Sequence, residues 1–322
     1  MRLVMMGTGP FAVPTFRGLY ETHHEVAALV TGPIHERRPA TPLNPLREIA
    51  QQHGTPIFDP EDVNTPESQA QLAAWDADLL VVCDYGQILS PATLAAARLG
   101  GINLHASLLP KYRGAAPINW AIYHGETETG VSVIHMTPRV DAGPLIAQQA
   151  TPIEPDETAA ALEARLAGLG AALVRRAIDS LQRGPVEALP QNAALASKAP
   201  RIKKTDGLVD WTRPAAAIKN HVRAMEPWPK TYTYWHRRSG PPMRLILGPV
   251  SVSTDSPTGG LPGSVLEAAK DRLVIAAGEG AVLIQGVQPA GKRHLSTREF
   301  LNGHRVQVGD RFGPEQGPPA PV

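Results

Sequence analysis

Cysteine is almost absent from this chain, since the only one is Cys83 inside the apolar run L-L-V-V-C. A single thiol excludes an internal disulfide and favours a reducing compartment, so we expect a cytoplasmic protein. No apolar run approaches the ~18 residues that a transmembrane helix requires. The opening residues M-R-L-V-M-M-G reach a glycine before any apolar stretch long enough for a secretory signal, and we expect none.

The spacing of the histidines and the low net charge narrow the classes of function further. The 11 histidines do not fall in H-x-x-x-H or H-E-x-x-H spacing, so the sequence predicts no metal site. The formal net charge is only +1, so total charge favours no class of partner. Apolar residues make up 43% of 322 positions, which allows a buried core and about two domains of ~100–200 residues each.

The first part of the chain alternates between short apolar runs and helical patterns. Thr65-Pro66 and Ser90-Pro91 are typical of a helix start, with an N-cap residue followed by proline; we expect helices to about Trp75 and Arg98. The predicted strands are residues 2–6, 25–30, 78–83, 101–105 and 130–136, and a long helix is predicted from Asp156 to about Gln182. This alternation predicts an α/β domain over residues 1–188 with a doubly wound, mostly parallel, Rossmann-like sheet.

The segment G-T-G-P-F-A at residues 7–12 matches the dinucleotide pattern G-x-G-x-x-G/A after a strand. The second strand, however, ends in A-A-L-V-T-G-P, with no acidic residue to bind a ribose hydroxyl. Pro10 also removes an amide N–H that a pyrophosphate would need. We therefore interpret the segment as a tight strand-to-helix turn rather than a nicotinamide site.

Polar side chains at the end of one predicted strand indicate a reaction site. Asn103 and His105 are two residues apart and so face the same side of the strand. An amide N–H can stabilise an oxyanion, and an imidazole can move a proton near neutral pH. Asp141, in the loop-like R-V-D-A-G-P, is a candidate third member that would hold His105 in its charged form. No serine or cysteine elbow is present, so the set suits direct attack of an amine on a carbonyl. The alternatives are purely structural roles: Asn103 as a cap at the strand end, His105 as a core residue and Asp141 as part of a turn.

The composition changes after residue 188. Residues 189–205 are poor in apolar positions and are predicted to be a linker. Residues 206–313 combine one helix with short strands and glycine turns, which predicts a small β-barrel of OB-like type. The predicted strands are residues 231–236, 243–250, 263–267, 272–276 and 281–285, and residues 314–322 are predicted to be a disordered tail.

Positive charge is concentrated between Lys198 and Arg244, where eleven lysines and arginines face three acidic residues. Five aromatic residues are interleaved with them, and basic side chains with aromatics suit a phosphate backbone and stacked bases. The alternative is a solvated face over an aromatic core. The candidate nucleic-acid contacts are Lys203, Lys204, Arg237 and Arg238.

The stretch G-I-N-L-H-A-S-L-L-P-K-Y-R-G-A-A-P, with E-T-G-V-S-V-I-H-M and V-D-A-G-P-L, resembles the formyltransferases that use 10-formyltetrahydrofolate. The resemblance implies a formyltransferase fold, this folate as formyl-donor co-substrate, and Asn103, His105 and Asp141 as the catalytic set. It also implies that folate contacts come from two segments: Ser107, Leu108, Leu109 and Pro110, and Tyr85, Gly86, Gln87, Ile88 and Leu89.

The second half resembles the C-terminal domain of those family members that act on initiator methionyl-tRNA. The residues that carry the resemblance are L-V-D-W-T-R-P-A-A-A-I-K-N-H-V-R-A-M-E-P-W-P and Q-P-A-G-K-R-H-L-S-T-R-E-F-L-N-G. They imply a tRNA partner and formyl transfer to the methionine amine. We also expect a monomer, and the lack of long apolar runs predicts no membrane contact. One departure concerns the family's long basic insertion after the second strand, which is here a shorter loop whose only basic residues are Arg37 and Arg38.

Three other functions are compatible with the same catalytic half. An amino sugar-nucleotide N-formyltransferase is the first alternative, but it would not need the basic stretch. A non-catalytic RNA-binding protein is the second, and the intact Asn103, His105 and Asp141 argue against it. A folate hydrolase that releases formate is the third, and it would need no basic domain.

Overall fold

The computed structural model describes residues 1–33, 44–255 and 259–316. These residues form two compact units, neither of which is one continuous stretch of sequence. The first unit contains residues 1–117, 128–152 and 161–200, and the second contains residues 118–127, 153–160 and the chain from residue 201 onward. The boundary predicted near residues 189–205 is thus only part of the division, because two short segments from the first half group with the second unit.

A seven-stranded sheet forms the centre of the first unit, in the order β3-β2-β1-β4-β5-β6-β7. Its strands are β1 (Arg2–Met6), β2 (Glu25–Val30), β3 (Ile57–Phe58), β4 (Leu79–Val82), β5 (Gly101–His105), β6 (Glu128–His135) and β7 (Leu145–Pro152). Strands β1 to β5 pair in parallel, whereas β6 and β7 pair antiparallel. The prediction of a doubly wound, mostly parallel sheet is confirmed.

The helices of the first half are α1 (Val13–Tyr20), α2 (Pro45–Gln52), α3 (Pro66–Ala73), α4 (Pro91–Leu94), α5 (Pro117–His124) and α6 (Ala159–Arg183). Helices α3 and α4 begin where their capping residues predict, whereas α6 begins at Ala159 instead of the predicted Asp156. The side chain of Thr65 accepts from the amide of Ser68, and that of Ser90 accepts from Thr93. None of the described helices is both long and apolar enough to cross a membrane.

Helix α4 ends earlier than predicted, at Leu94 instead of Arg98. The next residues turn back to the sheet, where the amides of Arg98 and Leu99 donate to the carbonyls of Ala77 and Asp78. Pairing with the chain that enters β4 therefore ends the helix, although the alanines there favour a helix locally.

The sequence did not predict two strands of the sheet, β3 and β7. Strand β3 has only two residues, and β7 reads L-I-A-Q-Q-A-T-P without the β-branched run that marks a strand. Strand β7 is an edge strand whose alternate residues are exposed, and it is held by its long pairing with β6. Its formation depends on its neighbour more than on its own propensity.

Part of the predicted linker is instead a packed segment of the first unit, which we call the strap (residues 189–200). Leu189 exchanges two backbone hydrogen bonds with Leu145 at the start of β7. The amide of Arg113 donates to the carbonyl of Ser197, and the amide of Ala199 donates to the carbonyl of Arg113. The linker prediction is wrong for these residues, because their backbone pairs with other segments of the unit although most of their side chains are exposed.

The second unit is built from antiparallel strands and contains two further helices, α7 (Ala215–Ala224) and α8 (Thr297–Gly303). Its described strands are β8 (Tyr232–His236), β9 (Met243–Leu247), β10 (Val250–Ser253), β11 (Val265–Ala269), β12 (Arg272–Ala276), β13 (Ala281–Ile284), β14 (Gly286–Pro289), β15 (Leu295–Ser296) and β16 (Arg311–Gly313). They form a sheet in the order β10-β13-β12-β11 and another in the order β15-β14-β9-β8-β16.

Two bends and one closure make these sheets barrel-like. The single strand predicted over residues 243–250 is two strands, because the chain bends from one sheet into the other at Gly248-Pro249. A second bend at Gln285 separates β13 from β14. On the other side, the amide of Phe312 in β16 donates to the carbonyl of Gly263, just before β11. The two sheets are thus joined by the continuous chain at the two bends and by the hydrogen bond between Phe312 and Gly263 at the closure.

The aromatic residues of the basic stretch are divided between core and surface. Trp211 and Trp235 are each 4% exposed and belong to the hydrophobic core of the second unit, so the core interpretation is correct for them. Trp228 is 50% exposed. Of the predicted tail, residues 314–316 are described, and the carbonyl of Pro314 accepts from His236.

We predict that Gly263→Ala destabilises the second unit by about 3 kcal/mol, because it adds backbone strain to a steric clash. Gly263 has φ +83°, and a Cβ there would overlap the carbonyl oxygen of Phe312. Urea unfolding measures the change. Gly303→Ala is the matched control, since a Cβ at Gly303 meets no atom within 4 Å. Equal stability of the two variants would contradict a tight closure at Gly263.

Candidate active site

The carboxyl end of β5 presents the first two candidate residues. Asn103 and His105 are on the same face of the strand, and β5 lies between β4 and β6. Asn103 pairs with Val82 on one side, and His105 pairs with Ser132 on the other. The sheet order changes direction between β1 and β4, and ligands of such sheets bind outside the carboxyl ends of strands near this point.

The third residue, Asp141, lies in the loop between β6 and β7 and has a left-handed backbone with φ +50°. Its Oδ2 accepts from the amide of Gly114 at 2.9 Å, and its Oδ1 accepts from Asn103 Nδ2 at 3.3 Å. His105 Nδ1 lies 3.6 Å from the same Oδ1. The structure thus brings Asn103, His105 and Asp141 together around one carboxylate, although Asp141 is distant in sequence.

Both ring nitrogens of His105 face oxygen atoms. His105 Nε2 lies 2.8 Å from the carbonyl oxygen of Tyr112, and Nδ1 faces the Asp141 carboxylate. Neither oxygen can donate a proton, so both ring nitrogens are matched to their partners only when both carry hydrogen. The His105 side chain is only 7% exposed, so water has little access to it.

The candidate folate segment that follows β4 is held by hydrogen bonds to residues 60–64. Gln87 accepts from the amide of Val63 and donates to the carbonyl of Pro60. The side chain of Asn64 binds the segment from the other direction, donating to the carbonyl of Ile88 and accepting from the amide of Ser90. Sequence reasoning missed Asn64, because nothing in its local pattern indicates a partner about 25 residues away.

Within this segment, exposed and buried residues alternate in a way that suits a flat ligand. Ile88 is 63% exposed, although it is a large apolar residue. Gly86 is also exposed and has φ +88°, a conformation that favours glycine. Tyr85 and Leu89 are buried, with 6% and 1% of their surface exposed.

The candidate folate loop after β5 presents only part of its surface. Ser107 is fully buried and its hydroxyl donates to the carbonyl of Lys111 at 2.6 Å, while Leu109 is 3% exposed. Leu108 and Pro110 are partly exposed. Side-chain contacts to a ligand are therefore available to Leu108 and Pro110, whereas Ser107 and Leu109 shape the loop from inside.

Asp84 is a carboxylate at this edge, directly before Tyr85 of the candidate folate segment. Its backbone carbonyl accepts from the amide of Thr8, and its side chain lies against Gly9, where no Cβ would fit. The carboxylate reaches solvent, yet protein surrounds it on most sides. Burial and the nearby charge of Glu163 raise the pKa of Asp84 to about 6, and burial also raises the pKa of Glu163. Within the described part of the chain, the Asp84 carboxylate has no hydrogen-bonding partner.

The candidate tRNA contacts differ in their availability. Lys203 and Lys204 are exposed, whereas Arg37 and Arg38 lie outside the described residues. Arg238 donates from Nε to Asp310, whose side chain is only 4% exposed. Loss of Arg238 would leave that buried carboxylate without its charge partner, so this arginine has a structural role.

A basic cavity of about 730 Å³ lies in the second unit near Arg237. Its cationic lining residues are Arg237, Arg244, Lys292 and Arg293, with Glu315 as the only acidic one. Sequence reasoning missed Arg244, Lys292 and Arg293 as a group, because β9 and the turn after β14 meet only in the folded barrel.

One group of described residues has the composition of a metal site, namely His23, His24 and Asp179. Each member of this group has another bonding role. His24 Nδ1 contacts the terminal amine of Met1 at 3.1 Å, and its Nε2 contacts Asp179 at 3.2 Å. His23 contacts Gln182. Hydrogen bonding between the N-terminus and α6 accounts for this group.

Two family models match the chain. The model described as formyl transferase matches residues 1–178, and the model described as formyl transferase, C-terminal domain, matches residues 201–305. The methionyl-tRNA formyltransferase of Rhodopirellula baltica is 44% identical over 97% of this chain and 96% of its own length. That of Geobacter sulfurreducens is 41% identical, with 97% of each chain covered. The chain therefore belongs to the formyltransferase family, within which these near-full-length relatives are methionyl-tRNA formyltransferases.

Solved structures show the same fold at lower identity. An N-formyltransferase from Helicobacter canadensis, in complex with folinic acid and dTDP-3-aminofucose, has a TM-score of 0.67 at 18% identity and covers 89% of this chain and 98% of its own. HypX from Aquifex aeolicus, in complex with tetrahydrofolic acid, has a TM-score of 0.61 at 18% identity, over 94% of this chain and 47% of its own. The chain is an enzyme of formyl transfer, and its formyl-donor co-substrate is 10-formyltetrahydrofolate.

We predict that Asp84→Asn stabilises the protein at pH 7–8 and has little effect near pH 4. Because the folded-state pKa of Asp84 is raised to about 6, wild-type stability falls as pH rises from about 4 through 6, and an amide removes this loss. Solvent contact limits the gain to about 1 kcal/mol.

Urea unfolding of both proteins at several pH values measures this difference. The slope that remains in the variant comes from the other titratable groups, Glu163 among them. A constant difference between the two proteins from pH 4 to pH 8 would contradict the raised pKa of Asp84.

Proposed function

We propose that the chain transfers the formyl group of 10-formyltetrahydrofolate to the α-amine of the methionine on initiator methionyl-tRNA. The observation that carries the proposal is the shared contact of Asn103 and His105 with the Asp141 carboxylate at the carboxyl edge of the sheet. The proposal is also supported by the similarity of nearly the whole chain to proteins named methionyl-tRNA formyltransferase.

The proposed reaction is a direct acyl transfer. The amine nitrogen forms a bond to the formyl carbon, and the bond from that carbon to N10 of folate breaks. The proton that the amine loses ends on N10, so no further reactant is needed. The residues must therefore stabilise negative charge on the formyl oxygen and help to move one proton.

Asn103 is suited to the developing oxyanion. One of its two Nδ2 hydrogens is directed to Asp141. The other has no partner within the described residues and remains as a donor for the formyl oxygen. The bond to Asp141 fixes the plane of the amide, which makes the donor preorganised.

His105 and Asp141 divide the remaining tasks. His105, charged and held between Tyr112 and Asp141, supplies positive charge next to the oxyanion. Asp141 stabilises that charge and accepts the amine proton before it passes to N10. Because Asp141 Oδ1 serves Asn103 and His105 together, its position determines the geometry of both.

The folate segments support binding of the donor. The exposed Ile88 and the exposed backbone at Gly86 offer an apolar face and free amide groups to a pterin ring. Leu108 and Pro110 offer apolar surface from the loop after β5. Asn64 and Gln87 hold the first segment in place, so little ordering is required when the ligand binds.

The basic cavity of the second unit is the best candidate for contact with tRNA phosphates. Arg293 is paired with Glu299, and Arg237 donates to the carbonyl of Pro241. Arg244 lies over the ring of Tyr232 at 4.1 Å, where its guanidinium is fixed but its positive charge is not neutralised. Arg244 and Lys292, with Lys203 and Lys204, are therefore the cations that we assign to the tRNA backbone. The predictions of a monomer and of a cytoplasmic location remain to be tested by light scattering and cell fractionation.

Asn103→Ala should lower kcat about 10²–10³-fold, because one oxyanion donor is removed. Asp141→Asn should lower kcat about 10²–10⁴-fold through removal of the charge partner and proton acceptor. Formylation of charged initiator tRNA measures both, with folate binding by fluorescence as the control that should change little. Amino sugar nucleotides are assayed in parallel. Preferred formylation of these sugars, or wild-type turnover by Asp141→Asn, would refute the proposal.

Arg244→Gln combined with Lys292→Gln should weaken tRNA binding and reduce the slope of log K against log salt by about one unit for each phosphate that is no longer neutralised. Arg238 is left unchanged in this variant, because its loss would leave the buried Asp310 carboxylate without its charge partner. The control is Lys270→Gln, since Lys270 lies in the turn between β11 and β12 and does not line the cavity. An unchanged salt slope would show that the cavity does not bind phosphates.

A further inference from the structure

We infer that Gln191, in the strap, is a positioning residue for the catalytic carboxylate of Asp141. Gln191 Nε2 donates to the backbone carbonyl of Asp141 at 2.9 Å and to that of Gly143 at 2.7 Å. Gln191 Oε1 accepts from Arg113 Nε at 3.1 Å and from Arg113 Nη2 at 2.6 Å. One side-chain amide therefore joins the loop of Asp141 to the loop of Arg113 and Gly114.

These contacts also connect Gln191 to the Asp141 carboxylate, through Arg113 and Gly114. Arg113 precedes Gly114, and the amide of Gly114 donates to Asp141 Oδ2 at 2.9 Å. Gln191 thus fixes the backbone of Asp141 directly and fixes the donor to its side chain through Arg113. The strap holds the other side, since Arg113 also pairs with Ser197 and Ala199.

The backbone of Asp141 requires such support. A non-glycine residue at φ +50° is in a sparsely populated region that persists only when its surroundings determine it. Gly143 is equally constrained, because a Cβ there would overlap the carbonyl oxygen of His135. The two carbonyls that Gln191 binds flank this short turn, so its amide fixes the direction in which the Asp141 side chain leaves the loop.

Only glutamine satisfies all four contacts at this position. Two carbonyl oxygens require two N–H donors, and the guanidinium of Arg113 requires an acceptor. Glutamate would keep the contact with Arg113 and strengthen it by charge, but it would place oxygen against the carbonyls of Asp141 and Gly143. Gln191→Glu therefore distinguishes two roles. It keeps the contact between the strap and Arg113, and it loses the contacts that hold the turn of Asp141 and Gly143.

The inference rests on the proposed function, since it assumes that Asp141 takes part in the reaction. If Asp141 is displaced by about 1 Å, its Oδ1 no longer serves Asn103 and His105 together, and a misplacement of this size lowers turnover about 10²-fold. Folate contacts do not involve Gln191, so the KM for folate should change little. The effect should appear in kcat and in the pH profile of kcat.

The experiment compares three variants of the full chain in steady-state formylation of methionyl-tRNA. Gln191→Met keeps the length of the side chain but removes every hydrogen bond, and Gln191→Glu keeps the acceptor only. Both should lower kcat about 100-fold with the KM for folate unchanged, and Gln191→Glu should retain the wild-type melting temperature. The control is Asn192→Ala, which removes a strap side-chain contact to the amide of Ala194 and should leave kcat unchanged.

A second background tests whether Gln191 acts through Asp141. In Asp141→Asn, the addition of Gln191→Met should lower the residual rate less than threefold, because contacting residues that act as a unit are not additive. A full 100-fold loss in that background, or wild-type kcat for Gln191→Glu, would overturn the inference. An active Asp141→Asn single variant would instead refute the proposed function, so the two failures are distinguishable.

Discussion

One carboxylate, that of Asp141, determines the arrangement of the candidate active site. Asp141 accepts from Asn103 and Gly114 and lies at ion-pair distance from His105, while its own backbone is held in a left-handed conformation. Strand β5 and two loops meet at this group, and the strap contacts both loops. In the mechanism that we propose, Asn103 and His105 are both oriented by Asp141, so catalysis would depend on how precisely this one side chain is placed.

The two units contain different chemistry, which suits a reaction between a small donor and a large acceptor. The carboxyl edge of the first sheet offers apolar surface at Ile88 and fixed polar groups at Asn103 and His105. The second unit offers cations, of which Arg244 is held over Tyr232 and Arg238 is required by Asp310. In the second unit, Arg238 thus supports a buried acid, whereas phosphate attraction is the role that we propose for Arg244.

Local signals in the sequence were sufficient where a single element determines its own structure. Thr65-Pro66 and Ser90-Pro91 begin helices because cap and proline act within one turn, and the apolar run before Cys83 forms a strand covered on both faces. Local signals failed where a distant partner decides. Helix α4 ends early because its next residues pair with the chain entering β4, and β7 forms because β6 accepts it. The strap has a linker's composition, yet its backbone is paired with Leu145 and Arg113.

The sequence by itself determined the class of fold, the strand end that carries Asn103 and His105, and the family to which both halves belong. These features depend on periodicity and on motifs of contiguous residues. Only the tertiary structure decided that Asn103 and His105 share Asp141, that Arg238 supports Asp310 and that Gln191 lies against the catalytic loop. Hydrogen bonds act over about 3 Å in space, and residues such as Gln191 and Asp141 come within that distance only after the chain has folded.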